Sequence, residues 1–291
     1  MIPTITKNYQ NVVISTGNII NKELGQRQSN EELYDGLKVT LQKEPNAERV
    51  VVEIDKLHGC VQRDSEELSK RLTENGRNEI SIGAKIFVNS NSTENIQQAV
   101  DALLDILKVK HVDNVVLAYH PNANAVTPVA SATSEATTTK SPCSEGNAGT
   151  ANVSNWSIRN GQQGVDELKE LYKCLEQYAH NQKITQLGIA DLDAEALEEL
   201  HKTASVAPTI AQVNLATCCV VPPELQEFCT AHDIQLNTHG DPELILQEEQ
   251  FAGLAPGYTI DWSLRYQVHV RCRGVLTAKG YIVGASKPTE T

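Results

Sequence analysis

Between Ile184 and Pro242 the apolar and polar positions of the chain alternate in a regular rhythm. Three apolar runs of strand length cover residues 184–190, 209–215 and 234–238. Two stretches of helical periodicity, 194–203 and 222–232, lie between them. Asp191 or Asp193 stands where the first helix needs an N-cap, and Pro222 falls in the first turn of the second, where a missing N–H is tolerated. Strand–helix–strand–helix–strand with short links predicts a parallel sheet covered by helices, joined by right-handed crossovers.

The same rhythm extends in both directions. Strands are predicted at 12–14, 50–54, 80–88 and 114–119. Helices are predicted at 31–42, with Ser29 or Asn30 as cap and Leu33, Leu37 and Leu41 on one face, and at 65–72, opened by a capping box from Asp64 to Glu67. Residues 94–107 carry the clearest helical stripe, Ile96, Val100, Leu103, Leu104 and Leu107, and helices follow at 165–178 and 243–250. Residues 261–270 fit either period. Trp262, Leu264, Tyr266 and Val268 alternate as in a strand, Trp262, Tyr266 and Val270 also share a helical face, and the strand-like run at 280–283 favours helix. Eight strands joined by seven intervening helical connections fit a single (β/α)₈ TIM barrel over 1–291, ending where the helix after the eighth strand would begin. Only residues 122–164 break the pattern. They are rich in Ser, Thr, Asn, Ala and Gly, too poor in apolar side chains to offset their chain entropy, and read as a disordered insertion after the fourth strand.

Composition narrows the function. With 37 acidic against 25 basic residues the net charge is −12, which disfavours nucleic acid as a partner. No apolar run reaches membrane-spanning length, and the first residues lack the basic-then-apolar order of a secretory signal. Seven cysteines without a C-x-x-C pair point to free thiols in a reducing cytoplasm, and no histidine spacing suggests a metal site. No phosphate-binding G-x-x-x-x-G-K-[ST] loop occurs.

Several segments resemble the regulatory (modifier) subunits of glutamate–cysteine ligase, a family related to the aldo-keto reductases. They are Leu187-Gly-Ile-Ala-Asp-Leu-Asp193, the stretch from Gln212 to Pro223, Asp233-Ile-Gln-Leu-Asn-Thr-His239, Trp262-Ser-Leu-Arg-Tyr266, Arg273-Gly-Val-Leu276 and Lys279-Gly-Tyr-Ile282, with Thr16-Gly-Asn18 and Ala84-Lys85-Ile-Phe-Val88 near the N-terminus. The resemblance implies an aldo-keto-reductase barrel that has lost its chemistry. Reductases use a Tyr to protonate a carbonyl, a Lys and an Asp to tune it, and a His to orient the substrate. Lys85 matches the Lys, with Glu53 or Asp55 as its expected partner. His58 stands where the Tyr belongs, and Tyr119, followed by His120, where the His belongs. Gln212 survives from the cofactor site, but Ala190-Asp191 replaces a Ser-Asn pair, and the final stretch 284–291 offers only Lys287 for a phosphate. No bound cofactor is therefore implied.

The resemblance implies a regulatory subunit that binds the ligase's catalytic subunit as a heterodimer, strengthens its use of glutamate and relieves feedback by glutathione. The competing expectation is a weak reductase using Lys85 and His58. Cys218 and Cys219, on the loop after the sixth strand, and Cys272, between Arg271 and Arg273, are candidate intersubunit or redox thiols. Arg265, Arg271 and Arg273 are candidate partner contacts, as cations in an acidic chain.

Overall fold

The computed structural model describes residues 9–20, 28–41, 49–53, 58–63, 66–74, 76–123, 156–215 and 220–288. The predicted rhythm appears most faithfully in its second half. Strands β4 (Ile80–Val88), β5 (Val112–Tyr119), β6 (Ile184–Ala190), β7 (Ile210–Asn214) and β8 (Gln235–His239) are joined in parallel. Helices α3 (Thr93–Leu107), α4 (Trp156–His180), α5 (Ala194–Thr203) and α6 (Pro223–Ala231) connect them. Their caps follow from sequence. The Ser92 side chain accepts from the Asn95 N–H at 3.3 Å, and Asp193, not Asp191, accepts from the Ala196 N–H at 2.9 Å.

The remaining strands depart from an all-parallel barrel. Residues predicted as the last helix form β9 (Thr259–Val270), which turns at Gly274 into β10 (Val275–Ser286). The two are antiparallel over almost their whole length, and β9 is also antiparallel to β4. Alternation wins over helical period here because both faces of β9 are buried. Leu264, Tyr266 and Val268 enter the helix-covered core, and Ser263 and Arg265 point to the opposite face.

Strand β1 (Asn11–Ser15) pairs antiparallel with β10 and parallel with β3 (His58–Arg63), a strand that alternation did not reveal, and β3 forms a hairpin with β2 (Arg49–Glu53). Among the described residues the order is β2-β3-β1-β10-β9-β4-β5-β6-β7-β8, ten strands rather than eight. Because β10, β9 and β4 succeed one another antiparallel, β1 and β3 run opposite to β4–β8.

The sheet has two apolar faces. One packs against α2 (Glu66–Glu74) and α3–α6 through residues such as Ile86, Leu103, Leu117, Leu168 and Leu197. The other is covered by α1 (Ser29–Leu41) and α7 (Glu248–Leu254), whose Leu33, Leu37 and Phe251 meet Val12, Ile14, Tyr281 and Val283. Helix α7 starts five residues later than its periodicity predicts. Among the described residues no helix is long and apolar enough to cross a membrane, and none follows β10.

Residues 124–155 of the predicted insertion lie outside the described residues. Its last part, however, is structured. Helix α4 begins at Trp156, bends at Gly161, where φ is 62°, and continues. Trp156 is buried, and its indole Nε1–H donates to the Tyr119 carbonyl at 2.9 Å. One large apolar anchor outweighs a polar surrounding composition.

Close approach of neighbouring atoms fixes a glycine at position 280 of the hairpin. A Cβ on Gly280 would lie 2.2 Å from the Gly17 carbonyl oxygen and 2.3 Å from the Tyr266 hydroxyl, whereas one on Gly253 in α7 meets nothing within 4 Å. Gly280→Ala should therefore lower stability by about 1–3 kcal/mol as an overpacked site. Gly253→Ala should raise it by about 0.4–1 kcal/mol by restricting the unfolded chain. Urea denaturation of both variants separates the two signs.

Candidate functional site

The C-terminal ends of β4–β8 gather most of the chain's buried charge. Lys85 projects from β4 and Arg265 from the adjoining position on β9. Both converge on Asp241, two residues past β8. Lys85 Nζ donates to Asp241 Oδ2 at 3.0 Å, Arg265 Nη2 donates to the same oxygen at 2.9 Å, and Arg265 Nη1 donates to Oδ1. The Ser29 hydroxyl, at the start of α1, also hydrogen-bonds this carboxylate. Phe87 lies beneath both cations, with Lys85 Nζ 5.3 Å from its ring centre.

A second carboxylate stands beside the first. Asp191, in the left-handed backbone region at φ 66°, follows β6. His239 Nε2 lies 2.8 Å from Asp191 Oδ1, and His120 Nε2 lies 3.1 Å from Oδ2. His239 Nδ1 accepts the Asp241 N–H at 3.1 Å, which leaves its Nε2 as the donor to Asp191. The network also extends towards α1. Arg265 hydrogen-bonds the Tyr281 hydroxyl, which donates to Glu32 Oε2 at 2.9 Å, and Lys279 pairs with the same Glu32 oxygen.

Electrostatics follow from this geometry. Burial alone would raise both aspartates. Instead the His120 and His239 bonds hold Asp191, and Arg265 with Lys85 holds Asp241, well below the usual carboxylate range. Burial pulls Lys85 below the ordinary lysine value despite Asp241 beside it. Burial would also lower Arg265, but its bonds to Asp241 raise it. The guanidinium is thus the firmer partner of the pair, as its two-pronged contact requires.

The structure corrects several sequence expectations. The partner of Lys85 is Asp241. Asp55 lies outside the described residues, and of Glu53 only the backbone is described, paired with Gly59. His58 opens β3 and accepts from Asn11 Nδ2 at 3.0 Å. Strands β1, β10 and β9 separate it from β4, a path along the sheet of about 19 Å at ~4.8 Å per strand step, so His58 and Lys85 are not brought together. The Tyr119 hydroxyl turns outward and donates to Glu167 on α4 at 2.5 Å, and burial pushes its pKa above the ordinary tyrosine value. His120, one residue on, holds the interior position instead.

Arg265 is an interior ion-pair member and not a surface contact. Arg271 is half exposed, paired with Asp113, and bonded through Nε to the Ile80 carbonyl at 2.9 Å. Arg273 and Cys272 are exposed on the β9–β10 turn. Cys218 and Cys219 lie outside the described residues. Sequence reasoning missed Asp241 and Arg265 as a pair. An Asp two residues past a strand-ending His was the available signal, but its cation sits on a segment whose helical reading hid the pairing.

Residues 62–240, more than half of the chain, match the Aldo/keto reductase family. With the parallel strands β4–β8 and the helices between them, that match makes the fold an α/β variation on the (β/α)₈ barrel of aldo/keto reductases. Among solved structures, an aldo/keto reductase from Brucella melitensis is 18% identical over 57% of this chain and 48% of its own, with a TM-score of 0.37. The aldose reductase of Giardia lamblia is 15% identical over 57% and 47%, with a TM-score of 0.36. Within that class, the glutamate–cysteine ligase regulatory subunit of Homo sapiens is 31% identical over 94% of this chain and 92% of its own length. That of Mus musculus is 30% identical over the same shares. The chain belongs to the family of glutamate–cysteine ligase regulatory subunits.

A nicotinamide dinucleotide, which one solved family member holds as NADP, does not fit the residues present. The Gln212 Oε1 and His120 Nδ1 atoms are buried without a hydrogen-bond partner and suit an amide. The phosphate end finds the reverse of what it needs. Helix α7, which follows β8, opens with Glu248 and Glu249, and ionised Asp191 adds negative charge at the strand ends. No step of chemistry is assigned to that group.

The two depressed carboxylates give a signed expectation. Asp191 and Asp241 stay ionised in the fold at pH values where the unfolded chain, with carboxyls near ~3.9, takes up protons. Their stabilisation is present above that value and is lost as pH falls below it. Asp241→Asn should lower stability by about 3–5 kcal/mol at pH 7, because Lys85 and Arg265 lose their counter-charge, and should flatten the acid limb of a stability–pH curve. An unchanged acid limb in the variant, read by denaturant melts from pH 7 to 3, contradicts this assignment.

Proposed function

We propose that this chain is the non-catalytic regulatory subunit that binds the catalytic subunit of a cytoplasmic glutamate–cysteine ligase, forms a heterodimer with it and raises its activity. The observation that carries this reading is the state of Lys85. In a reductase this lysine would tune a tyrosine. Here it is tied to Asp241 beside Arg265, and the tyrosine hydroxyls near this face bond elsewhere, Tyr119 to Glu167 and Tyr281 to Glu32. A barrel of reductase descent in which, among the described residues, neither of these tyrosines is bonded to that lysine retains shape and surface as its means of action. The names of its relatives supply the partner.

Regulation of this kind requires that the chain bind one state of the catalytic subunit more tightly than another. A coupling of ~1–3 kcal/mol alters apparent substrate affinity by roughly 5–150-fold. Arg271 and Arg273, exposed on the β9–β10 turn, remain contacts in this proposal, and Cys272 between them remains a thiol within reach of a partner.

Steady-state kinetics of the catalytic subunit with and without this chain test the reading. The expected result is a lower KM for glutamate and weaker inhibition by glutathione at saturating chain. Unchanged kinetics in both respects refute it. The isolated chain should neither quench NADPH fluorescence at micromolar concentrations nor reduce aldehydes, and turnover of either kind favours the reductase alternative.

A further inference from the structure

At the N-terminal ends of β4 and β5, opposite the buried charge network, α2 and the end of α3 leave a cavity of about 330 Å³. Its floor is apolar, formed by Leu72, Ile80, Leu107 and Val109. Its rim is cationic, with Arg77, Lys108 and Lys110, and no carboxylate lines it among the described residues. That composition is unexpected for a chain with 37 acidic and 25 basic residues.

The surrounding charges extend the same sign. Asp113, the carboxylate beneath the rim, is consumed internally. It accepts the Ile82 N–H at 2.7 Å and Arg77 Nη2 at 3.0 Å, and it pairs with Arg271. Arg271 is also anchored through its own N–H to the Glu79 carbonyl at 2.7 Å, which ties the β9–β10 turn, where Arg273 is exposed, to the N-terminal end of β4. Glu74 and Glu79 stand on the outer margin and do not line the cavity. Lys108 occupies the left-handed C-cap of α3 at φ 53°, a position usually filled by Gly or Asn. A cation there gains from the helix dipole, but Lys110, two residues on, has no such reason to be basic.

We propose that this groove is the docking surface for an acidic segment of the catalytic subunit that carries an apolar anchor residue. The reading deepens the proposed function and takes its partner from it. The volume lies at the lower end of ~300–1,000 Å³ for ligand pockets, enough for one or two large side chains and too little for a whole cofactor. The anchor fills the floor, while Lys108, Lys110 and Arg273 meet carboxylates on either side.

Calorimetric titration of the full-length chain with the catalytic subunit tests the groove. Lys108→Glu with Lys110→Glu should weaken binding by about tenfold or more while the thermal unfolding transition is retained, and Lys108→Arg with Lys110→Arg should bind within about threefold of the parent. Raising salt from about 50 to 300 mM should weaken the parent more than the charge-reversed variant. Charge reversal that leaves affinity and salt dependence unchanged overturns the groove and leaves the regulatory reading intact. A parent chain that does not bind the catalytic subunit at all overturns that reading as well. A self-associated parent that charge reversal renders monomeric, with partner affinity unchanged, overturns the assignment in favour of a second copy.

Discussion

Asp241 ties together parts of the molecule that lie far apart in the chain. It fixes Lys85 on β4, Arg265 on β9, the start of α1 through Ser29 and, through its own N–H, the tautomer of His239. Each group is costly to bury alone. Together they satisfy one another, and the set forces α1 against the inner face of the sheet. Breaking one member exposes the others to the full penalty of burial, so the network specifies one arrangement more than it adds net stability. Lys85 therefore has a structural reason to be present: its removal would leave Asp241 and Arg265 to be rebalanced.

The β9–β10 hairpin is the second constraint. It takes the place between β1 and β4 that a parallel β/α unit was expected to fill, and it reverses β1 and β3 relative to β4–β8. With β1, the hairpin separates His58 on β3 from Lys85 on β4. The hairpin tolerates no side chain where Gly280 faces the Gly17 carbonyl and Gly284 faces the Trp262 ring. Its inward residues supply Arg265 and Tyr281 to the charge network, and its turn supplies Arg271 to the opposite end of the sheet. One hairpin thus links the end of the sheet that holds the buried charge network to the cationic end.

The two ends differ in accessibility. At the C-terminal ends of β4–β8, charges are paired inward and buried. At the N-terminal ends, cations outnumber the carboxylates that line the surface and keep an apolar floor between them. In an enzyme barrel the first end carries function and the second carries stability. Here the buried pairs stabilise the first end, and the apolar cavity with its cationic rim lies at the other.

Local chemistry made the elements of β4–β8 legible in the sequence. Period-2 and period-3.6 patterns are set by which face each element buries, and Ile184–Ala190 and Ala194–Thr203 have the bounds their patterns predict, with Asp193 as cap. Lys85 was likewise legible as an interior lysine needing a carboxylate. The tertiary structure alone decided which carboxylate, because Asp241 is 156 residues distant in the chain and reaches Lys85 only through the sheet order. It also decided that residues 259–270 are a strand, since a segment compatible with both periods takes the one that its neighbours β4 and β10 can pair with. Position in the sheet, and not sequence spacing, placed His120 rather than Tyr119 inside, and separated Arg265 in the core from Arg271 at the surface. Partners distant in sequence leave no periodic trace, and only the folded chain brings them together.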